Sequence, residues 1–198
     1  MTNIMVKTDI DRFYEYLLKH KVCRGSTHTH TSMGKPYGCF NITGRTNRER
    51  FTKLYTKALK QDAELYITEV HRNQGPILFD IDIKHNNLSR QYTFEDIKLI
   101  VEIYNTIIKK YLNIPNDYFQ VYITEKEEPT IQNNIAKDGF HGLYPNICTT
   151  VELQYIIRNE VVEIFKKNDL LSHLNLINDY NYIFDKAVIN DNNWLMYG

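Results

Sequence analysis

Cysteine, proline and glycine are scarce, at 3, 5 and 8 of 198 residues. Cys23, Cys39 and Cys148 are too few and too scattered to staple a fold, and an odd number leaves one unpaired, so a disulfide framework is excluded. With so little Pro and Gly there is no linker rich in Pro, Gly and Ser, and no internal repeat is present. Long apolar runs are missing as well. Nothing approaches the ~18 consecutive apolar residues of a membrane helix, so no membrane partner is expected. The start, Met1 to Lys7, lacks the charged, apolar and small-residue succession of a signal peptide, which points to an intracellular, reducing compartment with free thiols.

An excess of one charge is also absent: 24 Lys and Arg balance 24 Asp and Glu. The balance conceals an asymmetry. Residues 1–60 hold 12 basic against 4 acidic side chains, leaving 12 against 20 for the rest. A basic half suits a polyanion and an acidic half can hold divalent metal, so the pair points toward nucleic-acid chemistry, although charges spread unevenly over solvated helix faces would look the same. What the chain does have is an ordinary globular share of apolar residues, 42%, and a length at which roughly 70% of the unfolded surface can be buried.

Helices are marked by their caps. Thr8 with Asp11, Thr46 with Glu49, and Thr93 with Asp96 each place a hydroxyl three residues before a carboxylate and open an apolar pattern of helical period. These predict helices over roughly 8–20, 46–61 and 93–112. A fourth runs from Thr150 to about Lys167, and a short fifth covers 170–174. Strand-like runs rich in β-branched and aromatic residues fall at 38–42, 65–70, 77–83, 118–124, 140–147 and 182–189, with 194–197 as a further candidate. Strands and helices mix without strict alternation, which predicts an α+β fold with a partly antiparallel sheet. The polar stretch Glu125 to Lys137 reads as a mobile surface loop, and the charge break places a soft boundary near residue 70.

The segment Pro76 to Lys84 carries the strongest chemical signal. As a strand it sends Ile77, Phe79, Ile81 and Ile83 to one face and Leu78, Asp80, Asp82 and Lys84 to the other. Two carboxylates two residues apart on a strand are close enough to share divalent ions, and they repel each other without one. A solvated edge strand would account for them too. An EF-hand is excluded by Lys84 at a ligand position and by the missing turn Gly, and a phosphate-binding Walker loop by Pro36 after Gly34-Lys35. His141, on a strand between Gly139 and Gly142, could donate to phosphates that approach the backbone at the glycines, or simply pack. Asp185, read within the apolar strand 182–189, needs a cation, a basic partner or a helix end nearby.

In order along the chain, Phe79-Asp80-Ile81-Asp82, Gly139-Phe140-His141, Phe184-Asp185 and the run Asn193 to Gly198 resemble the archaeo-eukaryotic primase superfamily, in the flavour of primase-helicases of large DNA viruses and of eukaryotic primase-polymerases. Thr27 to Ile42, and Tyr66 to His71 ahead of the acids, are similar to the viral branch. The resemblance implies a two-part fold: an N-terminal basic α/β unit, residues 1–70, packed on a catalytic unit, 71–198, whose sheet is like that of an RNA-recognition module. It further implies that Asp80, Asp82 and Asp185 hold two Mg2+ or Mn2+ ions for nucleotidyl transfer in DNA replication. His141, Lys137, Lys186 and Asn193 would bind the nucleoside triphosphate, and Arg45, Arg48 and Lys53 a single-stranded DNA template. A helicase domain or subunit would be the partner. In a viral setting the location would be the host cytoplasm, in a virus factory, or the nucleus.

The sequence departs from the family pattern at Gly139, where relatives often have a small hydroxyl residue, and at Asn192, where primase-polymerases have Arg. It stops at Gly198, where relatives continue into a Ser-x-Lys segment, so the domain is expected to be cut short and its activity as this chain is open. Two other classes stay open here: a noncatalytic single-strand-binding module of the same fold, and an unrelated Asp-x-Asp glycosyltransferase or nuclease. A zinc site from Cys23, His28, His30 and Cys39 also stays open, since the ligand types suit zinc and the spacing matches no familiar finger.

Overall fold

The computed structural model describes residues 7–197; Met1 to Val6, on which most of the leader reading rests, and Gly198, the last residue of the Asn193 motif, lie outside the described residues. The described chain divides into two units. One comprises the residues up to His71 together with those from Asn193 onward, and the other is Arg72–Asn192.

The first unit opens with α1 (Asp9–Lys19), capped reciprocally as its sequence predicts: the Thr8 hydroxyl accepts from the Asp11 amide, and the Asp11 carboxylate accepts from the Thr8 amide. Short strands β1 (Lys21–Val22), β2 (His30–Ser32) and β3 (Gly38–Phe40) follow, then α2 (Arg45–Leu59) and β4 (Ile67–Glu69). The capping box predicted at Thr46 does not form. The helix starts earlier, with Gly44 at φ 80 as its N-cap and no side-chain bond there. Strand order is β1-β3-β2-β4, with Trp194–Leu195 added beside β4, all antiparallel. The core joins Phe13 and Leu17 of α1, Phe51 and Tyr55 of α2, and Phe40 and Ile67 of the sheet. The Tyr55 hydroxyl donates to the Tyr197 carbonyl at 2.6 Å. That bond and the β4 pairing return the last segment to this unit, where the charge pattern suggested a single cut near residue 70.

The second unit is built on β5 (Gln74–His85). It continues through α3 (Phe94–Tyr111), β6 (Tyr122–Glu125), β7 (Thr130–Gln132), β8 (Ile135–Thr150), α4 (Val151–Asn168), α5 (Tyr180–Ile183), β9 (Phe184–Asp185) and α6 (Ala187–Asn190); Trp194–Leu195 is β10. The main sheet runs β6-β8-β5-β9 and is antiparallel throughout. Apart from the β7 hairpin, this is β-α-β-β-α-β with the first and third strands central, the split arrangement shared by ferredoxin-like and RNA-recognition modules. One sheet face is closed by helices. Ile77, Phe79, Ile81 and Ile83 of β5 pack with Ile100, Tyr104 and Ile108 of α3 and with Ile157, Val161 and Phe165 of α4. Each such side chain contributes about 1.5–3 kcal/mol on burial, which fixes the register and turns the even-numbered residues of β5 to the opposite face.

Four predicted elements change, the first being the strand predicted at 118–124, which is a 3-10 turn over Asn116–Phe119 followed by β6 from Tyr122. The stretch 182–189 is not a strand: only Phe184–Asp185 pairs with β5, between helical turns. The predicted loop 125–137 contains a hairpin, with Asn133 and Asn134 at φ 52 and 60 between the paired residues Gln132 and Ile135. Two successive positive φ values make the two-residue turn whose twist suits a hairpin, and asparagine tolerates them. The short helix predicted at 170–174 is a 3-10 turn over Ser172–Leu174.

Candidate active site

Four strands bring Thr124, His141, Asp80 and Asp185 into one row, each directly across from the next, on the face that α3 and α4 leave open. Asp82, two residues further along β5, lies opposite Gly139. The carboxylates of Asp80, Asp82 and Asp185 each place an oxygen within 4.8 Å of the others. Like charges directly opposed in a sheet destabilise it. Here the cost is visible on Asp80, whose side chain is 20% exposed. Burial first, then Asp82 and Asp185, push its carboxyl up to about 7, while Lys137 and Lys126 pull the other way. The nearby lysines do not offset the repulsion. Three convergent carboxylates short of positive charge suit a hard divalent cation with oxygen ligands, so the residues present fit Mg2+ or Mn2+.

The Nε2 atom of His141 lies 3.3 Å from the nearer Asp80 oxygen, and burial lowers the imidazole's pKa while Asp82 opposes the shift. The ring is therefore mainly neutral at pH 7, with one nitrogen able to donate. Lys137, further along β8, holds its ammonium 3.5 Å from Asp82. The glycines around His141 serve packing rather than ligand approach. A Cβ on Gly142 would fall 2.0 Å from the Phe79 ring, and one on Gly139, at φ 144, would fall 1.8 Å from the Ile81 carbonyl oxygen.

Asp185 is held by a device that the sequence does not announce. The guanidinium of Arg158, on α4 and 7% exposed, donates to the Phe184 carbonyl from Nε at 2.9 Å and to the Asn181 carbonyl from Nη2 at 2.6 Å. These bonds use up carbonyls on either side of the turn into β9 and orient the residue that follows. The Ala187 amide then donates to the Asp185 carboxylate at 3.0 Å. The acid thus sits at a strand-to-helix junction, whereas Ile183 and Ile189, placed on its face by the strand reading, are buried.

Lys186 follows Asp185 and is exposed. The other predicted residues belong to the first unit. Asn193 donates to the hydroxyls of Thr31 and Thr68 at 3.2 and 3.4 Å. Arg45, Arg48 and Lys53 are exposed on α2, with Arg45 2.8 Å from Glu49. The zinc possibility does not survive: among the described residues the three aspartates are the one set of three or more ligand-type side chains that converge. His30 instead packs against Phe51, the rings tilted with centroids 4.5 Å apart, and lies 3.6 Å from Glu69.

The sequence profile of the family described as "C962R protein N-terminal AEP domain" matches residues 29–198. A protein named "Putative helicase" from Acanthamoeba polyphaga mimivirus is 37% identical over 202 residues, covering 99% of this chain and 21% of its own length. Proteins of the same name from Invertebrate iridescent virus 3 and Invertebrate iridescent virus 6 are 25% and 26% identical, each over 86% of this chain and 19% and 20% of their own lengths. The chain thus spans about a fifth of the length of these curated relatives. With the profile covering all but the first 28 residues and an α+β fold of two antiparallel sheets beneath it, the chain belongs to the archaeo-eukaryotic primase (AEP) domain family of viral primase-helicases.

Proposed function

We propose that this domain catalyses template-directed nucleotidyl transfer from a nucleoside or deoxynucleoside triphosphate, as the primase or primase-polymerase part of a replicative primase-helicase. The observation that carries the reading is the convergence of Asp80, Asp82 and Asp185 beside His141 and Lys137 on the open face of one sheet. Two Mg2+ or Mn2+ ions held by the three carboxylates would activate a primer 3′-hydroxyl and neutralise charge on the triphosphate. The protein's own groups do the positioning. Neutral His141 donates a hydrogen bond to a phosphate oxygen, Lys137 pairs with another, and Lys186 and Asn193 complete the nucleotide contacts. Arg45, Arg48 and Lys53 hold single-stranded template by its phosphates. The relatives are named helicases and are about five times longer, so the helicase partner is assigned to the same polypeptide or to a neighbouring chain.

Primer extension on a DNA template tests the reading. Incorporation should require Mg2+ or Mn2+, follow the template base, and fall more than about a hundredfold in Asp82→Asn, which removes a ligand rather than a supporting contact. Incorporation that ignores the template, or that Asp82→Asn leaves unchanged, would overturn it.

A further inference from the structure

The segment 125–137 reads in sequence as a polar loop, yet its first residues are among the most firmly tethered parts of the open face. Along β6, Tyr122 and Thr124 share one side, and Thr124 lies directly across from His141. The next position in that alternation is Lys126, one residue past the end of β6. Continued by that one residue, the pairing sets Lys126 beside Gly139, which itself lies across from Asp82, so its backbone stands at the edge of the acidic row.

An ion pair to a fully buried acid fixes the backbone at Lys126. Arg90 donates from Nε and Nη2 to the two oxygens of Asp138 at 2.9 and 3.1 Å, and Asp138 is fully buried. The same guanidinium donates to the Lys126 carbonyl at 2.6 Å and reaches Glu125 at 3.4 Å. Tyr92, beneath it with 5.0 Å from guanidinium to ring centre, has its hydroxyl 3.0 Å from both Glu125 and the Gly139 carbonyl. The end of β6 is thereby tied to β8 at the residues between Lys137 and His141. A buried ion pair adds little net stability over an apolar replacement, so its value lies in fixing geometry. What it fixes is the backbone of a lysine at the end of the strand that pairs with His141's strand.

We infer that Lys126 is a further phosphate-binding residue of the nucleotide site, acting on the opposite side of His141 from β5, and that Arg90 and Asp138 are its positioning residues. The inference rests on the reading that this site takes a triphosphate. A polyphosphate carrying about four negative charges needs cations beyond the divalent ions, and a lysine whose backbone is tethered gives up less freedom on binding than one on a loose loop.

Calorimetric titration of the full chain with ATP, dATP and AMP in Mg2+ tests it. Lys126→Ala should weaken both triphosphates about tenfold and AMP less than twofold, and Lys126→Arg should retain most of the affinity. Arg90→Lys should weaken triphosphate binding in the natural background and have little effect in Lys126→Ala; a merely structural role would lower affinity equally in both. If Arg90→Lys fails to fold, the two Lys126 variants decide the matter. Unchanged triphosphate affinity in Lys126→Ala while Lys137→Ala binds poorly would overturn this inference and leave the nucleotide reading intact. Equal weakening of AMP and triphosphate would also overturn it. Failure of the natural chain to bind any triphosphate would remove both.

Discussion

Asp80 stands between His141 and Asp185 in the middle of a sheet, where an unpaired acid costs folding energy unless something binds it. Its folded pKa of about 7 lies above the ordinary carboxylate value of 3.8. Between those values the folded state holds more protons than the unfolded one, so the stability this group contributes is fully present below about pH 4, is lost as pH rises to about 7, and changes little above that. Asp80→Asn removes the titration. In chelator-treated buffer the variant should melt higher than the natural chain, with a larger gain at pH 8 than at pH 5 and a ceiling of roughly 4 kcal/mol. Mg2+ should narrow the gap, because it stabilises the state that binds it. A variant that melts lower at pH 8 would mean that Asp80 is held by protein contacts alone and that the crowding of carboxylates does not oppose folding.

Among the elements, β8 shows how tightly the open face is tied to the core. Phe79 stacks on Tyr104 with ring centres 4.5 Å apart, and Gly142 leaves the space its ring fills. Gly142→Ala should therefore cost about 1–3 kcal/mol in urea unfolding, the usual penalty for overpacking a core that cannot shift. A variant as stable as the natural chain would show that the Phe79 ring can swing aside. This level also shows where sequence reasoning works. The alternation in Pro76 to Lys84 and the cap at Thr93 are local signals, and the strand and helix they mark are present. The two-residue β9 is unreadable in sequence, because it lies between two helical turns and the Arg158 guanidinium that holds the Asn181 and Phe184 carbonyls comes from a distant part of the chain. The hairpin at Asn133-Asn134 escapes sequence reading for a different reason: paired asparagines signal a turn as well as a loop, and the short β7 has no buried residue to give it a period. The Arg90 tether at the Lys126 carbonyl is hidden for the same reason as the Arg158 contacts, since it joins residues far apart in sequence.

At the scale of the whole molecule, the charge asymmetry read from the sequence falls along the two units. The basic residues of positions 1–60 lie in the first, and Asp80, Asp82 and Asp185 lie in the second. On the proposed function, one unit would hold template phosphates and the other would carry the phosphoryl chemistry. The relatives named helicases are about five times longer than this chain. The measurement that tests the division most directly follows single-stranded DNA affinity against salt alongside nucleotide incorporation, in the natural chain, in Asp82→Asn and in Arg48→Glu with Lys53→Glu. Affinity should fall steeply with salt, with a slope of about −0.7 per phosphate contact, and should hardly depend on base sequence. Asp82→Asn should bind DNA as well as the natural chain or better while losing incorporation, and the double charge reversal should lose DNA affinity. DNA binding that is flat in salt, or that falls together with incorporation in Asp82→Asn, would contradict the account.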